Sequence, residues 1–270
     1  MTFSKPKRAP NAAGSALRAE AAFQPADIFI SQPESVIYHR DFFHIPASFA
    51  WKRMLDILLS SVAMLLLAPL MLFTALLVKM TSPGPVLFSQ ERIGLDRRTA
   101  DRRRHMSTPP SMERRRQNRR INPGFGKPFK MYKFRTMKMD AEKGGKPVLA
   151  RKGDPRITPI GAIMRKSRLD ELPQFVNVLR GDMSIVGPRP ERAYFIEEMK
   201  KEIPNFPLRL RAKPGITGLA QVELGYANDT EGMRNKLRFD LQYIQSLSAI
   251  TDLKILLKTV SVVLTGKGAC

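Results

Sequence analysis

Cysteine is almost missing from this chain. The only one is Cys270, so no intrachain disulfide can form and an oxidising compartment is not implied. Histidine is scarce as well, and three scattered histidines with one cysteine do not suit a structural zinc site. Acidic residues are in deficit: 24 aspartates and glutamates face 46 lysines and arginines, a formal charge of +22. So large an excess calls for an anionic partner, whether nucleic acid, acidic lipid headgroups or a phosphorylated substrate. Long apolar runs are limited to one, and it does not sit at the extreme N-terminus, which argues against a cleavable secretory signal. No internal repeat is visible, and 270 residues allow one large domain or two small ones.

The one apolar run is Met54 to Val78, inside WKRMLDILLSSVAMLLLAPLMLFTALLVKM. About 20 apolar residues suffice to cross a bilayer, so a straight span is one reading. Pro69 near the middle removes a backbone hydrogen bond and favours a bend or break. Lys52 and Arg53 precede the run and Lys79 follows it, whereas a spanning helix usually concentrates its cations on one side. The expectation is therefore a kinked, re-entrant membrane helix, with the straight span as the alternative. Trp51 and its cationic neighbours suit an interfacial anchor, and Asp56 belongs at headgroup depth or beside a cation. The chain divides into a flexible arm over 1–46, an anchor helix over 47–80 and a domain over 81–270; within the arm only Asp27 to Ile30 looks ordered.

After Pro83-Gly84-Pro85, the run from Val86 to Glu91 reads as a strand. A second run, Lys127 to Arg135, alternates apolar and cationic residues, and the two can pair as a hairpin. Phe129, Met131 and Phe134 are assigned to the core, and Lys130, Lys133 and Arg135 to the outer face. Between the runs, residues 96–120 hold ten arginines against three acids. Such a block repels itself, stays extended and adheres to anionic lipid; no aromatic residues interleave to stack on bases, which disfavours nucleic acid. Ile157 to Leu179 reads as helical, broken at Leu172-Pro173. Met233 to Leu264 reads as helical throughout, either packed in the core or lying in the headgroup plane.

The most informative stretch runs from Met164 to Pro190, MRKSRLDELPQFVNVLRGDMSIVGPRP. Asp170 and Glu171 are adjacent carboxylates in cationic surroundings. One carboxylate can attack phosphorus while its neighbour holds a divalent cation. Arg189, between Pro188 and Pro190, has little freedom to lose when it grips a phosphate. A plain helix start is the rival reading: Ser167-x-x-Asp170 fits a capping box and acids are favoured in a first turn. A non-catalytic basic scaffold at a membrane surface or on nucleic acid would fit the charge and the apolar run equally.

These segments resemble the bacterial sugar transferases that initiate glycan assembly on a polyprenol phosphate, the monotopic phosphoglycosyl transferases. The likeness runs from Trp51 to Gly268 and is carried by KRMLDILLSS, SPGPVLFSQERIG, FKMYKFRTM, RKSRLDELPQFVNVLRGDMSIVGPRPE and KPGITGLAQV. It implies a compact α+β domain, predominantly helical with a small β element, held on the cytoplasmic face of the bacterial inner membrane by a re-entrant helix. It implies Asp170 as nucleophile, Glu171 as support for Mg²⁺, and Pro188, Arg189 and Pro190 as contacts for a uridine nucleotide. Arg165, Lys133 and Arg135 are the next candidates for phosphate. The implied partners are a UDP-sugar, polyprenol phosphate and an anionic bilayer, without nucleic acid; a homodimer stays open. Three features depart from the family pattern: Ala68-Pro69 in place of Ser-Pro, the arginine block, and Glu223-Leu-Gly-Tyr226 in place of a tryptophan-containing continuation.

Overall fold

The computed structural model describes residues 50–96, 125–139, 141, 153–224 and 229–265, all within one unit. The arm over 1–46, residues 97–120 of the arginine block and residues 225–228, which include Gly225 and Tyr226, lie outside them. Helix α1, Ala50–Thr81, is the apolar run. It carries Pro69 inside a single helical assignment, and its large side chains from Met54 to Met80 are mostly exposed. Its few buried residues, Asp56, Ser60, Thr74 and Val78, fall in two pairs at four-residue spacing, one near each end.

Both ends dock. At the start, Arg53 donates to the carbonyls of Val178 (2.5 Å) and Leu179 (2.7 Å), and Lys52 bonds Asp252 (2.5 Å) and the Tyr243 hydroxyl (3.0 Å). These cations, read above as an interfacial anchor, are used inside the protein. Asp56 is held within the protein as well: its Oδ1 accepts from the Ser184 hydroxyl (2.9 Å) and the Ile185 N–H (3.0 Å), neutral donors to a buried carboxylate. At the far end, Val78 packs with Phe134 and Met164, flanked by Met71, Ala75 and Leu169.

Strands β1, Leu87–Ile93, and β2, Pro128–Phe134, form the expected antiparallel hairpin, in register from Leu87 opposite Phe134 to Ile93 opposite Pro128. Phe129, Met131 and Phe134 are buried as expected. Arg135 is not outward. It is buried, and its guanidinium donates to the carbonyls of Pro83 (2.7 Å) and Ser82 (2.8 Å), tying down the chain where it leaves α1.

The region from 157 to 180 breaks twice. Helix α2, Pro159–Lys166, starts at Thr158, whose hydroxyl accepts from the Gly161 N–H, and ends at Ser167. Arg168 then adopts a left-handed conformation with φ 59°, and Leu169–Glu171 make one 3₁₀ turn. Ser167 donates back to the Ile163 carbonyl, so the capping box does not form. Helix α3, Gln174–Arg180, follows Pro173 and stops at Gly181, whose φ of 84° suits glycine. Asn177 on α3 completes the edge of β2 by accepting from the Tyr132 N–H (3.0 Å) and donating to the Lys130 carbonyl (2.7 Å). That pairing sets α3, and the turn before it, against β2.

Strand β3, Ser184–Val186, pairs in parallel with β4, Gly215–Thr217. Helices α4, Ala193–Glu202, α5, Leu219–Glu223, α6, Thr230–Gln245, and α7, Ala249–Thr265, complete the largely helical α+β arrangement. The main core gathers Met131, Val178, Ile196, Phe206, Leu241 and Tyr243. The C-terminal stretch is thus two helices, and they differ. Helix α6 buries Met233, Leu237, Leu241 and Ile244, whereas α7 exposes Ile250, Leu253, Leu257, Val260 and Leu264 along one side.

Candidate active site

The left-handed Arg168 turns the chain back on itself, and the 3₁₀ turn behind it carries Asp170 and Glu171, both buried, toward β2. Glu171 is the hub. Its Oε1 accepts from Lys133 Nζ at 2.7 Å and from Arg189 Nη2 at 2.7 Å. Burial alone would push the Glu171 carboxyl up, but Arg189 and Lys133 outweigh it and hold the group well below the usual carboxylate range. Asp170 goes the other way. Burial pushes it up and the Glu171 charge adds to that, against the pull of Lys133, Arg165 and Arg189. Burial likewise lowers Lys133, with the Glu171 carboxylate opposing. Adjacent carboxyls whose environments drive their affinities for protons apart can take different chemical roles.

The structure brings most of the expected residues together. Lys133, Arg165 and Arg189 act on Asp170, Arg168 adds a further cation near Glu171, and Arg165 Nε is steadied by Thr136 Oγ1 at 3.0 Å. Pro188 and Pro190 line a crevice with Arg189, Glu191, Arg209 and Leu210. Arg135 instead holds the exit of α1. Lys133 was assigned outward because of its charge. Strict alternation contains the better signal, since 129, 131 and 133 share a parity and therefore a face.

The sequence reading overlooked the groups behind the Pro-Arg-Pro turn. Glu191 is buried, bonded to Lys236 (2.5 Å) and close to Arg92 (3.5 Å) and Arg209 (3.6 Å). Burial would raise its carboxyl, but Lys236, Arg209 and Arg92 bring it down to about 2. Its position directly after Pro190 was the available hint. Arg209, in FPLRLRAKP, gives none.

Among the described residues no three His, Cys, Asp or Glu side chains gather as a metal cage. Glu171, beside Asp170, is the carboxylate that could lend an oxygen to Mg²⁺, an ion that commonly takes one or two carboxylates and completes its shell with water and substrate phosphate.

The sequence matches a family described as bacterial sugar transferase over residues 47–116 and 115–266. A UDP-N-acetylgalactosamine-undecaprenyl-phosphate N-acetylgalactosaminephosphotransferase of Aeromonas hydrophila is 42% identical over 218 residues, covering 81% of this chain and 44% of that protein. A UDP-glucose:undecaprenyl-phosphate glucose-1-phosphate transferase of Caulobacter vibrioides is 40% identical over 220 residues, covering 81% of this chain and 71% of its own length. The exopolysaccharide production protein PSS of Rhizobium leguminosarum is 38% identical over 226 residues, covering 80% of this chain and 97% of its own. The chain thus spans less than half of the Aeromonas protein.

Proposed function

The chain belongs to the bacterial sugar transferase family, and on that premise we propose that it transfers a sugar-1-phosphate from a UDP-sugar to undecaprenyl phosphate, initiating surface polysaccharide or glycoconjugate assembly. The observation that carries this reading is the split pair at Asp170 and Glu171 within the cluster of Lys133, Arg165 and Arg189. A carboxylate Oδ of Asp170 attacks the sugar-bearing phosphorus, the bond to the UMP oxygen breaks, and UMP departs. An oxygen of the carrier phosphate then attacks the same phosphorus, the bond to Asp170 breaks, and the product leaves as a diphosphate-linked sugar. Asp170 ends each cycle as a carboxylate, so no other co-reactant is consumed. Mg²⁺, with Glu171 lending an oxygen, would offset charge on the diphosphate. Arg189 and Lys133, both fixed on Glu171, offset the rest. Pro188, Arg189 and Pro190 would hold the uridine nucleotide, and Arg165 faces the phosphoryl oxygens.

The assay is UMP release from a panel of UDP-sugars, with and without undecaprenyl phosphate. Brief incubation without the lipid should leave the protein heavier by one phosphosugar, and later addition of lipid should discharge it. A ternary mechanism with no adduct and no lipid-independent UMP burst would overturn the covalent route. Failure of every UDP-sugar to turn over would overturn the transferase reading.

We place the site on one leaflet of the inner membrane, facing the cytoplasm; the docking of both ends of α1 supports the single leaflet. Along a straight helix Asp56 and Val78 lie about 33 Å apart, comparable to a hydrocarbon core of about 30 Å. One body packs on both. A straight span would separate these contacts across the bilayer, so a helix that enters and leaves one leaflet fits better. The exposed apolar side of α7 suits the same lipid surface. With Cys270 replaced by Ser, cysteines at Ser4 and Ser261 should both react with an impermeant maleimide from the cytoplasmic side. Reaction of Ser4→Cys only from the periplasm would establish a span.

A further inference from the structure

The turn from Pro188 to Glu191 has two prolines, so half of its residues offer no N–H for anchoring. It is held through its carbonyls instead, and each of four in succession has its own donor. Pro188 O accepts from the Gly215 N–H (2.9 Å), Arg189 O from Arg209 Nη2 (3.0 Å), Pro190 O from Arg92 Nη1 (3.2 Å) and Glu191 O from the Ile93 N–H (3.0 Å). The outer two are backbone bonds; the inner two, to the carbonyls of the functional arginine and of the proline after it, come from the guanidinium groups of buried Arg209 and half-buried Arg92.

Arg209 is an unusual side chain to find there. It is only 2% exposed, and its Nη2 also meets Asp240 Oδ2 at 2.7 Å, itself 1% exposed. A fully buried ion pair is weak support for stability by itself, because an apolar pair of similar volume often does as well. The same Nη2 that meets Asp240 also reaches the Arg189 carbonyl. Arg189 in turn ends on Glu171 Oε1. A line of direct contacts therefore runs from Asp240 through Arg209 and the backbone of residue 189 to the carboxylate pair.

We propose that Arg209, oriented by Asp240 and assisted by Arg92, is a positioning residue that aims the Arg189 guanidinium at Glu171 and the substrate phosphates. The role rests on the transferase reading given above. Arg209 touches no reacting atom. It acts by fixing the peptide from which Arg189 projects, in a reaction where a misplacement of about 1 Å costs on the order of 10²-fold in rate.

The test removes the donor without leaving a buried charge alone. In the full-length chain, Arg209→Met combined with Asp240→Leu eliminates both charges together and should keep the melting temperature near that of the parent. Its kcat/KM for the UDP-sugar should fall about 10²-fold. In an Arg189→Ala background the same pair should cost less than about threefold, because the group being aimed is gone. Arg92→Ala, at a less buried side chain, is the second variant. It should cost about tenfold in the parent, as for one hydrogen bond, and almost nothing beside Arg189→Ala. A purely structural role predicts equal losses in both backgrounds, and that result, or full activity of both variants, overturns the proposal. A parent with turnover but multiplicative losses refutes only this role; a parent without turnover refutes the transferase reading beneath it.

Discussion

Asp170→Asn should lower turnover on the order of 10³-fold or more while the protein folds as well as before or better. The substitution keeps side-chain size and removes the only oxygen nucleophile proposed at this position. The phosphosugar adduct should vanish with the activity, which intact-protein mass spectrometry reads directly. The stability half of the expectation follows from the direction of the Asp170 shift. Burial raises its carboxyl, so the folded protein favours the protonated form. Stability from this group is complete below its unfolded pKa and is lost as pH rises through the higher folded value. At neutral pH the ionised carboxylate therefore opposes folding, and asparagine relieves that. The raised pKa also places the acid limb of kcat/KM above the ordinary aspartate range, since the attacking form is the carboxylate. An Asp170→Asn protein with near-parental turnover ends the covalent mechanism. One that loses activity only because it unfolds makes Asp170 a structural group.

Much of this site was legible because its parts are local. Asp170-Glu171 and Pro188-Arg189-Pro190 are contiguous, and the proline ring fixes the backbone of its turn wherever it occurs. The hairpin was readable from two strand-like runs, and the single apolar run from its length and composition as a long membrane helix. What escaped had its cause elsewhere in the chain. Arg135 and Lys133 look alike in KMYKFRTM, yet one closes off α1 and the other meets Glu171, because their partners, the end of α1 and the 3₁₀ turn, come from distant parts of the chain. Asp56 looked like an expensive charge in a membrane run until β3 supplied two donors more than 120 residues away. The capping box failed for a backbone reason: Arg168 takes a left-handed conformation that nothing in Ser-Arg-Leu-Asp advertises. Arg209 and Asp240 are 31 positions apart in sequence and meet only after α6 packs against the segment before β4.

Glu171→Gln should differ from its neighbour by costing stability as well as activity. Its Oε1 is the common acceptor for Lys133 and Arg189, whose side chains are 18% and 31% exposed. Glutamine can accept a hydrogen bond but cannot balance two cations. Removing one partner of a buried pair costs about 3–5 kcal/mol, and the solvent left around Arg189 brings the expectation here to about 2 kcal/mol. The pH dependence carries the same sign. The folded Glu171 carboxyl lies well below the ordinary glutamate range, held there by Arg189 and Lys133 against burial. Its contribution is therefore present above that range and fades as pH falls toward the folded pKa. The parent should lose stability through that acid window, and Glu171→Gln should start lower and lose less. Turnover should drop about 10²-fold, because Arg189 is no longer aimed and the proposed Mg²⁺ site is left without the Glu171 charge. Excess Mg²⁺ should not restore it, since the defect is a missing charge and not a diluted ligand. Melting curves for both variants at pH 4 and pH 7, beside their turnover, decide the matter. If Glu171→Gln melts with the parent at both pH values, the two cations do not depend on this carboxylate, and the division of labour between Asp170 and Glu171 is wrong.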